Sequence, residues 1–475
     1  MKILHLPFTF YPDAVGGTEV YVLALSHGLE RLGFRSVVAA PGSYDSAYEV
    51  QGIRVCRYAV GGHPAGIRDL YGMGDRDAAA GFERILASEN PDVVHLHALT
   101  RGVSLRIVRL AKQYGLPIVF TYHTPTVSCQ RGTMMRGGLD KCDGQMNVHT
   151  CARCTLEKLF RGSTQWRSCG RRSARALAAL VGTLPTALGT SLGRLNLQGG
   201  RWTALRMTEL VQLRHETVRS FLTEVDHVVA VCEWVKDVLI RNGVEAQRIT
   251  LCRQGITDDD NTPAQAPIRT AFKPLKVVYI GRLVPTKGVH ILIRAFQLAP
   301  QLGATLAVYG VAQDLASNKY EQELRRAASS DDRISFHPPI PNADVVSTLQ
   351  MYDVLAAPSQ WLETGPLVVL EAFAARVPVI GSRLGGIIEL VRDGLDGILL
   401  NHNNANDWAK VLHRLADHPN TLARFRENIF PPRRMSSVAK EMGELYTKQL
   451  RTHLRKRSFM STSFSTRSEP LRIVQ

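Results

Sequence analysis

The chain has 475 residues, 45% hydrophobic and 21% charged, the composition of a soluble globular protein with room for two or three domains. Its net charge of +16 is concentrated: residues 153–220 hold 12 Lys/Arg against 3 Asp/Glu, and residues 451–475 hold 6 against 1. Such basic stretches suit an anionic membrane surface; nucleic acid is an unlikely partner, because no zinc-finger, helix-turn-helix or aromatic RNA-binding signature accompanies them. The most apolar stretch, "ALAALVGTLPTALGTSL" at 176–192, is shorter than the run of about 18 apolar residues a spanning helix needs and holds Pro185.

The N-terminal "MKILHLPFTFYP" reads as a buried strand rather than a signal peptide, so the chain is expected in the cytoplasm, or peripherally on the inner face of the cytoplasmic membrane. "PDAVGGTEVY" then places Gly16 and Gly17 directly before a helix, where backbone N–H groups can meet a phosphate. Paired glycines more often mark only a turn. The runs "KILHLP", "SVVAA", "DVVHLH", "PIVFTYH", "DHVVAV" and "ITLCRQGI" alternate with helical stretches, the pattern of a parallel sheet covered on both faces. About a hundred residues between "PIVFTYH" and "DHVVAV" break the alternation. They predict an insertion at about 125–222, mainly helical after Trp202.

Within that insertion Cys129, Cys142, Cys151 and Cys154 have the spacing C-x12-C-x8-C-x2-C, which fits four thiolates around one structural zinc ion. An iron–sulfur cluster and uncoordinated thiols are the alternatives, and Cys169 is a substitute ligand. Cytosolic reduction argues against disulfides.

A polar linker at 258–275, marked by "TDDDNTPAQAPIRTAFKP" (257–274), separates the first domain (1–257) from the second (276–432). The second domain repeats the alternation with "VVYIGRL", "ATLAVYG", "RISFHPPI", "DVLAAPS", "VPVIGS" and "GILL". A helix over 433–455 follows, and then a basic tail over 456–475 without periodicity, expected to be disordered. The predicted architecture is α/β: two doubly wound, Rossmann-like parallel-sheet domains facing across a cleft.

Ligands of such sheets bind at the carboxyl ends of the strands. Gly16, Gly17, Glu19, His97, His123, Arg282, Lys287 and Glu363 all fall there. "GRLVPTKG" joins a strand to a helix, so Arg282 and Lys287 can converge on one anion, for which a diphosphate is the natural size. Neither first strand is followed by G-x-G-x-x-G, which removes most support for a nicotinamide oxidoreductase. In "ETGPLVVLEAF", Thr364-Gly365-Pro366 reads as a helix start, with Glu363 on the loop before it and Glu371 inside the helix. Carboxylates there would repel a phosphate, so they should bind hydroxyl groups around it.

Taken together, "YPDAVGGTEVYVLALSHGLERLGF", "PDVVHLHAL", "VDHVVAVCEWVKDVLIRNG", "GRLVPTKGVHILIRAF" and "ETGPLVVLEAFAARVPVIGSRLGGIIELVRDGLDGILL" resemble the GT-B-fold, retaining glycosyltransferases of the large family 4. The resemblance implies transfer of a sugar from a nucleotide-diphospho-sugar donor to a saccharide or lipid-linked acceptor, in polysaccharide or glycoconjugate synthesis, without a catalytic metal. It implies that Glu363 contacts the transferred sugar, that Glu371 holds the ribose, and that His123 stands beside the reacting sugar. Arg282 and Lys287 would neutralise the diphosphate, with Gly16 and Gly17 approaching it from the other domain. Gly365, Leu367, Gly385, Gly386 and Glu389 would complete the donor site. Two departures from the family pattern stand out: Ala375-Arg376 where a glycine is usual, and "RQGI" where Asn-Gly is usual. The alternatives are a catalytically weak sugar-nucleotide binding protein and, more distantly, a basic nucleic-acid-binding protein.

Overall fold

In a parallel sheet covered on both faces, strands are short continuous runs of β-branched and aliphatic residues. The computed structural model bears this out for every run named above; it describes residues 1–13, 16–61, 66, 69–162, 171–197, 199–258 and 274–465. The first domain contains β1 (Lys2–Leu6), β2 (Arg35–Gly42), β3 (Ser46–Val50), β4 (Ile53–Ala59), β5 (Val93–Leu96), β6 (Ile118–Tyr122), β7 (Met135–Arg136), β8 (Asp140–Lys141), β9 (His227–Ala230) and β10 (Ile249–Leu251). Its helices are α1 (Gly17–Arg31), α2 (Arg76–Glu89), α3 (Leu105–Gln113), α4 (Val148–Gly162), α5 (Arg171–Val181), α6 (Thr186–Arg194), α7 (Gly200–Leu205), α8 (Met207–Glu224) and α9 (Glu233–Arg241). The second domain contributes β11 (Leu275–Arg282), β12 (Ala304–Val311), β13 (Ile334–His337), β14 (Val354–Ala357), β15 (Val379–Ser382) and β16 (Gly397–Leu400). Its helices are α10 (Val289–Leu298), α11 (Leu315–Ala328), α12 (Val345–Leu349), α13 (Leu367–Ala374), α14 (Gly385–Leu390), α15 (Ala405–Asp417) and α16 (Pro419–Asn428), and α17 (Met435–Ser465) ends the described chain.

Eight strands form the first sheet in the order β10-β9-β6-β5-β1-β2-β4-β3, and six form the second in the order β13-β12-β11-β14-β15-β16. Within these two sheets all pairs are parallel except β3 with β4, and β7 and β8 form a separate antiparallel pair. Strand order reverses at β1/β5 and at β11/β14, and each reversal opens a crevice at the carboxyl ends of those strands. The β3–β4 hairpin was not anticipated. Its signal is the two-residue turn Gln51-Gly52, both left-handed at φ 49° and 82°, as a tight hairpin turn requires.

The insertion is helical from Val148, well before Trp202, and α4, α5, α7 and α8 bury a small core of their own around Leu156, Phe160, Met207 and Val211. It begins with the β7–β8 hairpin, which braces the second domain: Leu362 N–H donates to Thr133 O (3.1 Å), and His402 Nε2–H donates to Leu139 O (2.8 Å). Among the described residues no single helix is long and apolar enough to cross a membrane, although the α5–α6 pair, bent by 80°, passes that test jointly.

Nearly all of the expected linker, residues 259–273, lies outside the described residues, as do Cys169 and residues 466–475. The C-terminal helix needs one correction, to its length, and the structure adds its domain assignment. It continues through Ser465, across the first half of the stretch expected to be a structureless tail, because neither Pro nor Gly interrupts the sequence there. It also belongs to the first domain: Met435, Val438, Ala439, Met442 and Tyr446 pack with α1 residues in one core cluster. The chain therefore crosses between domains twice, and the crossings lie side by side, Ile256 bridging Arg434.

Candidate functional site

The cleft site is built from the loops that follow β1, β6, β11, β14 and β15. After β11, Arg282 ends the strand and a 3-10 turn, Pro285–Lys287, carries the lysine. Gly288 closes that turn at φ +80°, and a Cβ there would stand 1.9 Å from Pro358 O, so only glycine lets this loop lie against the loop after β14. The closeness pairs Lys287 Nζ with Glu363 Oε1 at 2.7 Å, while Ser359 Oγ donates to the same oxygen at 2.6 Å. Burial alone would raise the Glu363 carboxyl; the Lys287 ammonium and the hydrogen bonds from Lys287 and Ser359 outweigh it and hold the group below its ordinary value. Glu363 is thus an ionised, buried acceptor with one oxygen committed.

Its backbone is clamped from both domains. Glu363 O accepts from Gly386 N–H (2.6 Å) and from the Trp234 indole (2.8 Å). A Cβ on Gly385, at φ +51°, would fall 2.6 Å from the same carbonyl, so the Gly385-Gly386 pair is what permits the approach. Thr364 was expected to cap α13. Its hydroxyl instead donates to His123 O across the domain boundary at 2.6 Å, and Pro366 takes the cap position. Gly365 rests against Gln254, whose Oε1 would be 2.9 Å from an added Cβ.

Gly16 caps α1, its N–H donating to Glu19 Oε2 at 2.8 Å. Burial pushes the Glu19 carboxyl up, while its own backbone bonds and the charge of Arg282 pull the other way, so the β11 cation acts on the α1 turn of the opposite domain. Gly17 faces the second domain too: a Cβ there would meet Leu367 at 3.7 Å. Leu367 and Glu371, with Val20 and Tyr21 of α1, line a cleft cavity of about 330 Å³. Desolvation by burial lifts the Glu371 carboxyl to about 7.

Of the residues singled out from sequence, the structure gathers Gly16, Gly17, His123, Arg282, Lys287, Glu363, Gly365, Leu367, Glu371, Gly385 and Gly386 along this cleft. Glu389 is turned elsewhere. Its carboxylate accepts from the Glu233 and Trp234 N–H groups at the start of α9 (2.9 and 3.1 Å) and pairs with Arg253 (2.5 Å), so it latches the domains. Sequence reasoning missed Ser359, Trp234 and Leu362, which reach the site only through the tertiary contacts of the loop after β14. The two departures from the family pattern fit locally. Arg376 itself adopts φ +57° with its guanidinium on Ile429 O (2.6 Å), and Gly255 of "RQGI" lets the backbone pass Arg434, 2.7 Å from an added Cβ.

The four cysteines frame the β7–β8 hairpin and the start of α4. Cys142 Sγ accepts from Gly144 N–H (3.5 Å), and Cys154 Sγ accepts from Gly137 N–H (3.4 Å). Burial, and to a lesser degree the other three thiols, push Cys151 up to about 12. Among the described residues, however, the ligand atoms gathered within 4.8 Å of one another belong to His5, His95 and His97, not to the cysteines.

Comparison with known proteins agrees with this architecture. Residues 16–255 match the model of the glycosyl transferase 4-like domain, and residues 262–430 match that of glycosyl transferases group 1. The D-inositol 3-phosphate glycosyltransferase of Mycobacterium sp. (strain JLS) is 29% identical over 219 residues, 45% of this chain and 50% of that protein. That of Arthrobacter sp. (strain FB24) is 32% identical over 149 residues, 30% and 35% respectively. The chain thus spans about half the length, or less, of the curated relatives it matches. Sucrose-phosphate synthase from Thermosynechococcus elongatus superposes with TM-score 0.62 at 17% identity, covering 95% of this chain and 99% of that one. Anabaena HepE in complex with UDP and glucose gives 0.59 at 16%, covering 94% and 99%. The chain belongs to the group 1, 4-like glycosyltransferases and has their two-domain GT-B fold.

Proposed function

We propose that this protein transfers a sugar from a nucleotide-diphospho-sugar donor to a saccharide or lipid-linked acceptor, with retention of anomeric configuration. The observation that carries the reading is the set of cations Arg282 and Lys287 on the carboxyl side of β11, opposite the Gly16–Gly17 turn that opens α1. The complex of HepE with UDP and glucose, and the name of the inositol-phosphate relatives, support a nucleotide-sugar donor and a hydroxyl acceptor.

In this reading Arg282 and Lys287 stabilise the negative charge that grows on the diphosphate as the glycosidic bond breaks, an electrostatic task that needs no catalytic metal. Hydrolytic retaining enzymes hold two carboxylates about 5 Å apart; here the leaving phosphate oxygen takes the acceptor's proton from the same face. Glu363, kept ionised by Lys287, uses its free oxygen on the hydroxyls of the transferred sugar. Glu371 accepts the ribose hydroxyls in the cavity beside Leu367. Thermal shifts across a panel of nucleotide sugars will identify the donor, and NMR of the product will read its anomeric configuration. An inverted product would exclude this mechanism, and tight binding without turnover would leave a binding protein.

In this reading the acceptor end works at an anionic membrane surface. Leu180 and Leu195, each 70% exposed, and Leu188 stand on or beside the bent α5–α6 pair, with Arg172, Arg175, Arg194 and Arg201 exposed around them. Liposome flotation tests this: Leu180→Asp with Leu195→Asp should abolish salt-sensitive binding to anionic vesicles. For the cysteines, the two backbone N–H groups aimed at Cys142 and Cys154 sulfurs favour thiolate ligands. One structural zinc would pin the hairpin that braces the catalytic loop.

A further inference from the structure

Three histidines of the first domain stand at the carboxyl edge of three adjacent strands: His5 on β1, His97 just past β5, and His123 just past β6. Their rings form a chain. His5 Nδ1 lies 3.2 Å from His97 Nε2, and His97 Nδ1 lies 3.1 Å from His123 Nε2. His5, His97 and His123 are respectively 0%, 2% and 5% exposed. The two end nitrogens, His5 Nε2 and His123 Nδ1, are buried without a partner. His95 is not part of the chain. Its nitrogens bond Thr121 Oγ1 and the Tyr446 hydroxyl, each at 2.7 Å, and its ring lies tilted by 45° against His97, the centroids 3.9 Å apart. A metal among His5, His95 and His97 would have to displace bonds at two of these rings.

Burial lowers all three chain histidines far below their ordinary value, His5 and His123 to about 3, so each is a neutral imidazole with one N–H and one lone pair. Only two proton arrangements then satisfy both links. If the N–H groups point inward, from His123 to His97 to His5, the chain ends in a fully buried His5 Nε2–H with no acceptor. If they point outward, it ends in a bare His5 lone pair. In the free protein each arrangement leaves one end donor without a partner. A sugar hydroxyl at the domain boundary can satisfy His123 Nδ1 as donor or acceptor, while the fully buried His5 Nε2 stays out of reach. With the sugar donor bound, only the inward arrangement keeps an orphan N–H, the costlier fault. The outward arrangement makes His97 Nδ1–H donate to His123 Nε2 and leaves the His123 proton on Nδ1.

We propose that His5 and His97 are positioning residues that fix the tautomer of His123, so that its Nδ1–H is presented as a hydrogen-bond donor to a hydroxyl of the transferred sugar. The proposal rests on the donor-site reading above. Tyr21, packed edge-on at 4.8 Å, and the Thr364 hydroxyl on the His123 carbonyl fix the ring and backbone that deliver this donor to the domain boundary.

Long-range 1H–15N correlation on histidine-labelled full-length protein reads which nitrogen of each ring carries the proton, and does so whether or not the enzyme turns over. The expected result is an Nδ1–H tautomer at His123, assigned by its loss in His123→Asn. His97→Leu should mix the His123 tautomers and lower kcat about tenfold, the worth of one net hydrogen bond, with KM for the donor little changed. His97→Asn places an amide N–H near the lost Nδ1–H and should restore both tautomer and kcat, which a merely structural residue would not show. An Nε2–H tautomer at His123, an unchanged tautomer in His97→Leu, or histidine signals that move on EDTA treatment would overturn the proposal. Wild-type protein with the expected tautomer but no transfer would instead defeat the donor-site reading alone.

Discussion

Replacing Lys287 by methionine keeps much of the side chain's length and removes its charge, leaving the Glu363 carboxylate, 6% exposed, with only the Ser359 hydroxyl on its paired oxygen. Breaking a buried pair from one side costs about 3–5 kcal/mol; the lysine's 19% side-chain exposure puts this site at the lower end, about 3 kcal/mol. At about 2–4 °C per kcal/mol for a domain of this size, Lys287→Met should lower the melting temperature by roughly 6–12 °C at pH 7.5. The sign with pH follows from the two folded states. In the wild type the Glu363 carboxyl is held below its ordinary 4.5, so its stabilisation is present above pH 4.5 and is lost as pH falls through the folded value. In the variant burial dominates, the folded value moves above 4.5, and the variant recovers by taking up a proton as pH falls. The gap between the two proteins should therefore be wide at pH 7.5 and narrow toward pH 5. Differential scanning fluorimetry at both pH values measures it. An equal drop at both would mean that lost packing, not an uncompensated charge, is responsible, and no drop at either would dismiss the pair as a structural element.

Arg282→Ala should reduce kcat/KM by about 10²-fold, roughly 2.7 kcal/mol of transition-state stabilisation, with an unchanged melting temperature; near-normal turnover would remove it from the diphosphate site. Because Glu371 sits at about 7 and a ribose diol favours its ionised form, nucleotide binding near pH 6.5 should release protons, measured by calorimetry in buffers of different ionisation enthalpy. Glu371→Gln should abolish that release and weaken the nucleotide, whereas Glu363→Gln should spare nucleotide affinity and impair transfer. Elemental analysis should find about one zinc per chain, lost in the Cys151→Ser/Cys154→Ser double variant; a metal-free, fully active protein would refute the structural site.

The sheet strands were legible because a strand buried on both faces must be apolar throughout, and the cleft residues were legible because they stand where those strands end. Two kinds of feature were not. Thr364 has the chemistry of a helix cap, but its hydroxyl found a deeper acceptor in His123 O, a partner 241 positions away that local pattern cannot reveal. Glu389 carries the charge expected beside a donor, yet the start of α9 and Arg253 bind it first. Boundaries failed for a related reason. The end of α17 has no breaker to announce it, and its attachment to the first domain is written in the α1 surface rather than in its own sequence.

That attachment has a consequence for how the chain is made. Gly28 of α1 meets α17 so closely that an added Cβ would lie 2.7 Å from that of Ala439, and the same cluster receives Met435, Val438, Met442 and Tyr446. Because these partners follow the second domain in the chain, the first domain waits, incomplete, through synthesis of the entire second one. Domains usually fold in order of synthesis; here the second can finish first, and the first closes only when its final helix arrives. A nascent chain arrested before residue 435 should thus carry a protease-resistant second domain beside an exposed α1 surface, the natural target for a chaperone.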